Sequence, residues 1–373
     1  MAKAVYVGVG SKARKMKKAY IGIGGKARKV KKMYIGVGGK ARLCYSAELE
    51  KVGMATALST TRYDMRAATV GKYALFAGGY ISKSSFGYSV SSSVDAYNTS
   101  LTKSTPTELS CKRCGHAAAS VGGYALFAGG ASSYNFLGYG NILSSVDAYD
   151  ASLTRSAAHI IGATVAIGGA AVGNYALFAG GTVYSQINED NVTSDVLAYD
   201  PSLTFTTAPW LSVARANVKG ASAGNYALFA GGRADGFCTT VDAYNASLTR
   251  TTATALSSTK NNSAAATVGN HAIFVGNTAS ADIYDASLTK TSAAILSTAR
   301  TGLAATTVGD YAIFSGGGVA DFCDASLTRS SIGTSMTGYD MGAATIGDYA
   351  LFAGGHSGEK SDTAYDSVEV YTA

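Results

Sequence analysis

The sequence predicts an all-β protein: a seven-bladed β-propeller whose ring is closed by an N-terminal strand, preceded by a basic β-rich arm. Three observations predict it. An apolar phrase ending in glycine recurs seven times along the 373 residues. The chain stops one strand short of a complete unit. Turns must rely on Gly, Asn, Asp and Ser, because 45 Gly stand against 3 Pro, as in a chain of many tight β connections. Hydrophobic residues make up 47% and charged residues 15%, enough to fill a large core and too few charges for a disordered body.

The arm comes first. Residues 1–44 hold 13 Lys or Arg and no Asp or Glu, leaving 18 basic and 24 acidic residues downstream, so a +13 segment precedes a −6 body. Within it Tyr6-Val7-Gly8-Val9-Gly10, Tyr20-Ile21-Gly22-Ile23-Gly24 and Tyr34-Ile35-Gly36-Val37-Gly38 repeat with a period of 14, each followed by Lys-Ala-Arg. An even period keeps Tyr and Gly on one strand face and the β-branched residues on the other. So short a segment cannot bury a core alone, and it is expected to order against a partner, another copy of the chain or the propeller itself. The attachment residues are Tyr6, Tyr20, Tyr34, Lys12, Arg14, Lys26, Arg28, Lys40 and Arg42. An acidic protein surface is the expected dock, ahead of nucleic-acid phosphates.

The body repeats a longer phrase. Val70-Gly71-Lys72-Tyr73-Ala74-Leu75-Phe76-Ala77-Gly78-Gly79 has six further copies, ending at Gly129-Gly130, Gly180-Gly181, Gly231-Gly232, Gly276-Asn277, Gly316-Gly317 and Gly354-Gly355. Successive spacings of 51, 51, 51, 45, 40 and 38 residues suit units of four short strands. In the first unit residues 67–70 read as a small-residue strand, 73–77 as an apolar one, 94–97 as an alternating one and 102–109 as a polar last one. The first strand is alanine-rich in most units, which suits strands crowding a central channel. The run Asp150-Ala151-Ser152-Leu153-Thr154-Arg155, echoed at Asn245, Asp285 and Asp324, is turn chemistry and not a catalytic aspartate.

The seventh unit ends after its third strand, at residues 368–371. Residues 45–51 and 54–59 match the missing turn and fourth strand, and pairing the two ends would remove the exposed edges of an open array. The chain therefore divides into an arm, 1–44, and a propeller, 45–373. The glycine pair closing an apolar strand, the Tyr closing the next, and the basic residue eight before the Val of Val-Gly resemble kelch repeats over roughly residues 45–373. Kelch units usually carry a Trp in the fourth strand, and only Trp210 stands there. The repeats with the arm in front are also similar to kelch-type structural proteins of Firmicutes phages and prophages, and the arm resembles N-terminal repeats of phage tail or baseplate proteins.

Two sets of residues are candidates for ligand binding. The loops after the glycine pairs are long and aromatic in the first three units, giving Tyr80, Phe86, Tyr88, Tyr134, Phe136, Tyr139 and Tyr184 on one face. Eight residues before each Val-Gly stand Arg62, Arg113, Thr164, Arg215, Lys260, Arg300 and Gly338. The five cations serve either packing or a ring that grips an anionic glycan while tyrosines stack on sugar faces. On the opposite face Lys51, Lys103, Arg155, Arg250, Lys290 and Arg329 read as a solvated ring.

Catalysis is not expected. His116, His159, His271 and His356 fall in different units without ligand spacing. Cys111-Lys112-Arg113-Cys114-Gly115-His116 matches neither a haem nor a zinc pattern, and Asn188 to Asn191 lacks the alternating ligands of a calcium loop. No metal, cofactor, phosphate loop or Ser-His-Asp set is legible. Five cysteines without framework spacing argue for free, mostly buried thiols. No signal peptide and no apolar run of about 20 residues is present. The resemblances imply a non-enzymatic virion protein, made in the bacterial cytoplasm and without membrane insertion. Its arm would fix it to another phage structural protein, and its propeller would recognise a bacterial surface glycan or protein. The alternatives are a purely structural decoration of the particle and a glycan-active enzyme.

Overall fold

Each repeat folds as its residue pattern dictates. In the second repeat the innermost strand Ala117–Val121 alternates buried and half-buried residues, and a turn with Gly122 at φ +52° returns the chain into Tyr124–Ala128. That strand is buried on both faces after its first residue, as an unbroken apolar run requires. It pairs with Val146–Asp150, which pairs with Arg155–Ala157 at the outside. Between the last two, Asp150 Oδ1 accepts from the backbone N–H of Ser152 (2.8 Å) and Thr154 (2.9 Å). Those bonds hold Leu153 in a left-handed conformation, φ 66°, that a β-carbon resists.

The computed structural model describes every residue except 1–5, 10–11, 16–18, 24–25, 31, 38–39, 47, 85–86, 136–137, 159–161, 184–190, 261–263 and 359–362. Among the described residues there are 38 strands and no helix. They make eight four-stranded antiparallel sheets and three two-stranded hairpins, an all-β arrangement of repeated sheets like that of a β-propeller.

The expected number of four-stranded sheets was seven; eight are present. Seven follow the repeat. The eighth is built from Tyr80–Ser84, Gly87–Val90, Ala131–Asn135 and Gly138–Ile142, the segments read from sequence as aromatic loops of the first two units. Each insertion folds into a hairpin, and the two join where Tyr88 stands opposite Tyr134.

The seventh repeat's sheet holds Gly342–Ile346, Tyr349–Ala353 and Val368–Thr372, and its outermost strand is Glu50–Ala55. The register runs Val368↔Ala55, Glu369↔Met54 and Val370↔Gly53, then shifts before Tyr371↔Lys51. Innermost strands lie side by side in repeat order, and Gly342–Ile346 also lies beside Arg66–Val70. Hydroxyls stitch these strands together. Ser120 Oγ donates to the Thr69 carbonyl (2.7 Å), Ser222 Oγ to Ala171 (2.8 Å), Thr267 Oγ1 to Ser222 (3.0 Å), and Thr69 Oγ1 to Thr345 (2.9 Å). Thr307 and Thr345 make the same bond to Thr267 and Thr307.

Cores form between consecutive repeats. In six of the seven repeats the second-strand Phe meets a third-strand Tyr edge-on, as in Phe127 and Tyr149 at 5.9 Å, a favoured aromatic geometry; in the sixth, Cys323 takes the Tyr place. One cluster joins Leu58, Met65, Phe76 and Tyr97 to Ile346, Leu351, Val368 and Val370, from the first and seventh repeats. The glycine pairs are required where the chains approach: a β-carbon on Gly78 (φ +65°) would lie 2.6 Å from the Arg113 carbonyl, and one on Gly79 (φ +93°) 2.4 Å from the Tyr63 carbonyl. Trp210 is 69% exposed and does not fill the inter-sheet place that a kelch Trp would take.

The arm segments pair as three hairpins: Tyr6–Val9 with Lys12–Lys15, Tyr20–Ile23 with Lys26–Lys29, and Lys32–Val37 with Lys40–Ser46. The basic Lys-Ala-Arg segments are thus return strands, and the last runs two residues past position 44.

Candidate binding site at the axial cavity

A cavity of about 560 Å³ opens where the innermost strands begin, beside the eighth sheet. Its rim is a collar of positions in left-handed conformation: Asp64 (φ 49°), Gly115, Ala166, Asn217 (φ 57°), Gly302 and Asp340 (φ 51°). Backbone N–H groups join the collar from repeat to repeat, Asp64 to Asp340 O (2.7 Å), Ala166 to Gly115 O (2.7 Å), Asn217 to Ala166 O (2.7 Å) and Asp340 to Gly302 O (2.8 Å). Below the mouth the space narrows to a cavity of about 210 Å³ and then widens to one of about 410 Å³, the last lined by Ala, Gly, Ser and Thr.

One wall is aromatic. Ring centroids run from Tyr63 to Tyr80 at 5.3 Å, Tyr80 to Tyr88 at 5.2 Å, Tyr88 to Tyr134 at 5.3 Å and Tyr134 to Tyr139 at 4.9 Å. His356 continues the row, 4.7 Å from Tyr63, with Nε2 3.1 Å from Asp340 Oδ2. Lys83 lies over Tyr88 and Arg233 over Phe237, cation–π geometries. Burial pushes the Tyr80 hydroxyl well above its ordinary value and that of Tyr134 upward, neighbouring groups adding to both, so both remain hydrogen-bond donors at neutral pH.

The tyrosines read from sequence, Tyr80, Tyr88, Tyr134 and Tyr139, therefore come together on this wall. Phe86, Phe136 and Tyr184 lie outside the described residues. The arm residues Tyr6, Tyr20, Tyr34, Lys12, Arg14, Lys26, Arg28, Lys40 and Arg42 stand in the hairpin strands.

The expected cationic ring is placed differently. Arg62, Arg113 and Arg215 are fully buried and Lys260 is 6% exposed. Each is committed to the third-strand acid of its own sheet: Arg62 to Asp95, Arg113 to Asp147 at 2.7 Å, Arg215 to Asp242 at 2.9 Å, Lys260 to Asp282 at 3.4 Å and Arg300 to Asp321. Further bonds from Arg113 Nη1 to the Gly129 and Ser145 carbonyls, both 2.9 Å, leave it little for a ligand. Burial lowers the Arg62 and Arg113 guanidinium pKa, opposed by Asp95 and Asp147. Charge held this way fixes the sheet, and of the five cations Lys260 also lines the cavity.

The solvated ring of the opposite face is corrected too. Lys51, Lys103, Arg155, Arg250, Lys290 and Arg329 approach the same row of acids from the other side, Lys51 to Glu369 at 2.5 Å and Arg155 to Asp147 at 2.9 Å among them. In the third repeat, Thr164, Leu197 and Phe205 replace cation, acid and cation together, and Leu197 and Phe205 join an apolar cluster.

Sequence reasoning missed Asp64, Arg66, Lys219, Arg233, Phe237, Asp340 and His356. A signal existed for two of them. Arg66 and Lys219 open the innermost strands where the other repeats place Ala117, Gly168, Ala264, Ala304 and Gly342, and a charge in a small-residue column is a departure that packing does not ask for. Cys114 and Cys323 are buried, their thiols pushed up to about 12 by burial. Cys111 is exposed, against the expectation of mostly buried thiols. Among the described residues no group of three His, Cys, Asp or Glu is placed to hold a metal. In comparisons with known proteins, no family model and no curated protein matches this chain.

Proposed function

We propose that this is a non-enzymatic saccharide-binding protein whose ligand sits in the axial cavity against the tyrosine wall. The single observation that carries this reading is the row of Tyr80, Tyr88, Tyr134 and Tyr139 beside a cavity of about 560 Å³, because apolar ring faces with polar tips suit the stacked C–H faces and hydroxyls of sugars. On this reading the seven repeat sheets are the blades of one kelch-like propeller, closed by Glu50–Ala55. The eighth sheet is a wall on its rim. In support, the eighth sheet takes two strands from each of two repeats, whereas each of the others uses one repeat's strands in order, the seventh completed by Glu50–Ala55. The +13 arm ahead of a −6 body supports a division of labour, the arm attaching to an acidic structural protein of a phage or prophage particle and the body recognising a bacterial surface glycan.

A glycan array probed with the intact chain tests this. Binding to a defined set of saccharides is expected, and the Tyr88→Ala, Tyr134→Ala double variant, still folded, should lose at least about tenfold in affinity, the worth of one or two lost stacking contacts. An array with no binding above background would leave the decoration role in its place.

A further inference from the structure

The neck of the channel carries two cations, Arg66 and Lys219. Arg66, Asn217, Lys219, Leu303 and Met341 line both the mouth cavity and the narrower one below it. Arg66 and Lys219 start the innermost strands of the first and fourth repeats, and below them the wall is Ala, Gly, Ser and Thr. The acids at this level are engaged: Asp64 Oδ1 accepts from Arg66 Nη1 at 2.6 Å, and Asp340 Oδ2 lies 3.1 Å from His356 Nε2. Arg66 Nε donates to the His116 carbonyl at 3.0 Å, which fixes the guanidinium. Among the described residues neither Lys219 Nζ nor Arg66 Nη2 has a hydrogen-bond acceptor.

We infer that Arg66 and Lys219 form an oxyanion-binding step at the neck, so that the saccharide taken by the tyrosine wall is an acidic one whose carboxylate or phosphate group is held between them. The inference rests on the saccharide-binding reading above and adds the substrate class. A sugar stacked on Tyr88 and Tyr134 at the mouth would direct a charged substituent down the channel toward the neck. There Arg66 offers its remaining Nη2 donors and Lys219 a point charge, a combination suited to an oxyanion. Burial lowers the Lys219 ammonium, and Arg66 adds to it while Asp64 and Asp340 oppose. Lys219 is part-buried, and a cation in a cleft without a protein partner is a candidate for one that a ligand supplies.

Calorimetric titration of the intact chain tests this. The ligands are a hexuronic acid tetramer, a short glycerol-phosphate oligomer and a neutral hexose tetramer, compared between wild type and Lys219→Ala, the residue that stands in this column in three other repeats. The basic arm is identical in both proteins, so the difference isolates the neck. Expected is tighter binding of at least one acidic ligand than of the neutral one. Lys219→Ala should lose at least about tenfold against the acidic ligand, keep its neutral-sugar affinity and melt no lower than wild type. Preference for the hexuronate assigns a carboxylate, and preference for the glycerol phosphate a phosphate. Equal binding of acidic and neutral ligands, unchanged in Lys219→Ala, would overturn the neck and leave the tyrosine wall standing. A wild type silent toward all three would remove both.

Discussion

At the scale of the residue, the repeats are held by buried ion pairs whose two members cannot be removed separately. Asp242 is fully buried, with Arg215 on one side and Arg250 on the other. Asp242→Ala is expected to cost about 3–5 kcal/mol, because it strands a buried guanidinium. The third repeat shows the alternative, with Thr164, Leu197 and Phe205 in the three places. Arg215→Thr, Asp242→Leu and Arg250→Phe made together should therefore cost less than Asp242→Ala alone, and urea unfolding of the three proteins, wild type included, measures it. A triple variant less stable than the single one would contradict the pairing argument. The sequence showed the column of cations but not its burial, since an Arg eight residues before a strand end reads equally as surface. The clue lay in the joint loss of Thr164, Leu197 and Phe205, legible only once the three columns are known to meet.

At the scale of the element, the repeat strands were legible because their apolar, small-residue and turn signals recur seven times. The eighth sheet was not. Its strands occur in only two repeats, Gly87 and Gly138 read as loop punctuation, and the pairing of Tyr88 with Tyr134 joins segments from different units. The hairpins are tied to the repeats by backbone bonds of Tyr63 with Tyr80 and Cys114 with Ala131, outside residues 81–89, so that stretch replaced by a short Gly-Ser turn should leave the far-UV spectrum and the denaturant m-value of the body nearly unchanged while saccharide binding disappears. A loss of cooperative unfolding in that variant would show that the wall supports the repeat sheets. In the glycine-pair turns, Gly180→Ala places a β-carbon 2.2 Å from the Arg215 carbonyl at φ +66°. The conformation alone costs about 1–2 kcal/mol, and the thermal midpoint should fall accordingly.

At the scale of the whole molecule, Glu50–Ala55 joins the two ends of the chain. Residues 1–46 make only hairpins among themselves in the described pairing, so their deletion should leave a folded body. Deletion of residues 1–55 should lower the thermal midpoint sharply by exposing the edge of Val368–Thr372. The seam is also sensitive to acid. Burial favours the neutral form of Glu369, but bonds from Lys51, Thr334, Ser335 and Tyr371 win and hold its pKa below the ordinary carboxylate value. Its contribution is present above that ordinary value and is lost as pH falls through the folded one. The stability difference between wild type and Glu369→Gln should therefore shrink as pH falls below the ordinary carboxylate value. The seam was legible from the chain ends. The cavity was not, since its lining comes from six repeats whose individual residues look like strand starts and turns.

The central claim, that the tyrosine-walled cavity on the axis receives the saccharide, is tested most directly by a crystal structure of the intact chain soaked with the best array ligand. The account predicts sugar density against Tyr88 and Tyr134, with its charged group within hydrogen-bonding distance of Lys219. Sugar density on the outer strands or along the arm, with the cavity holding only solvent, would contradict it.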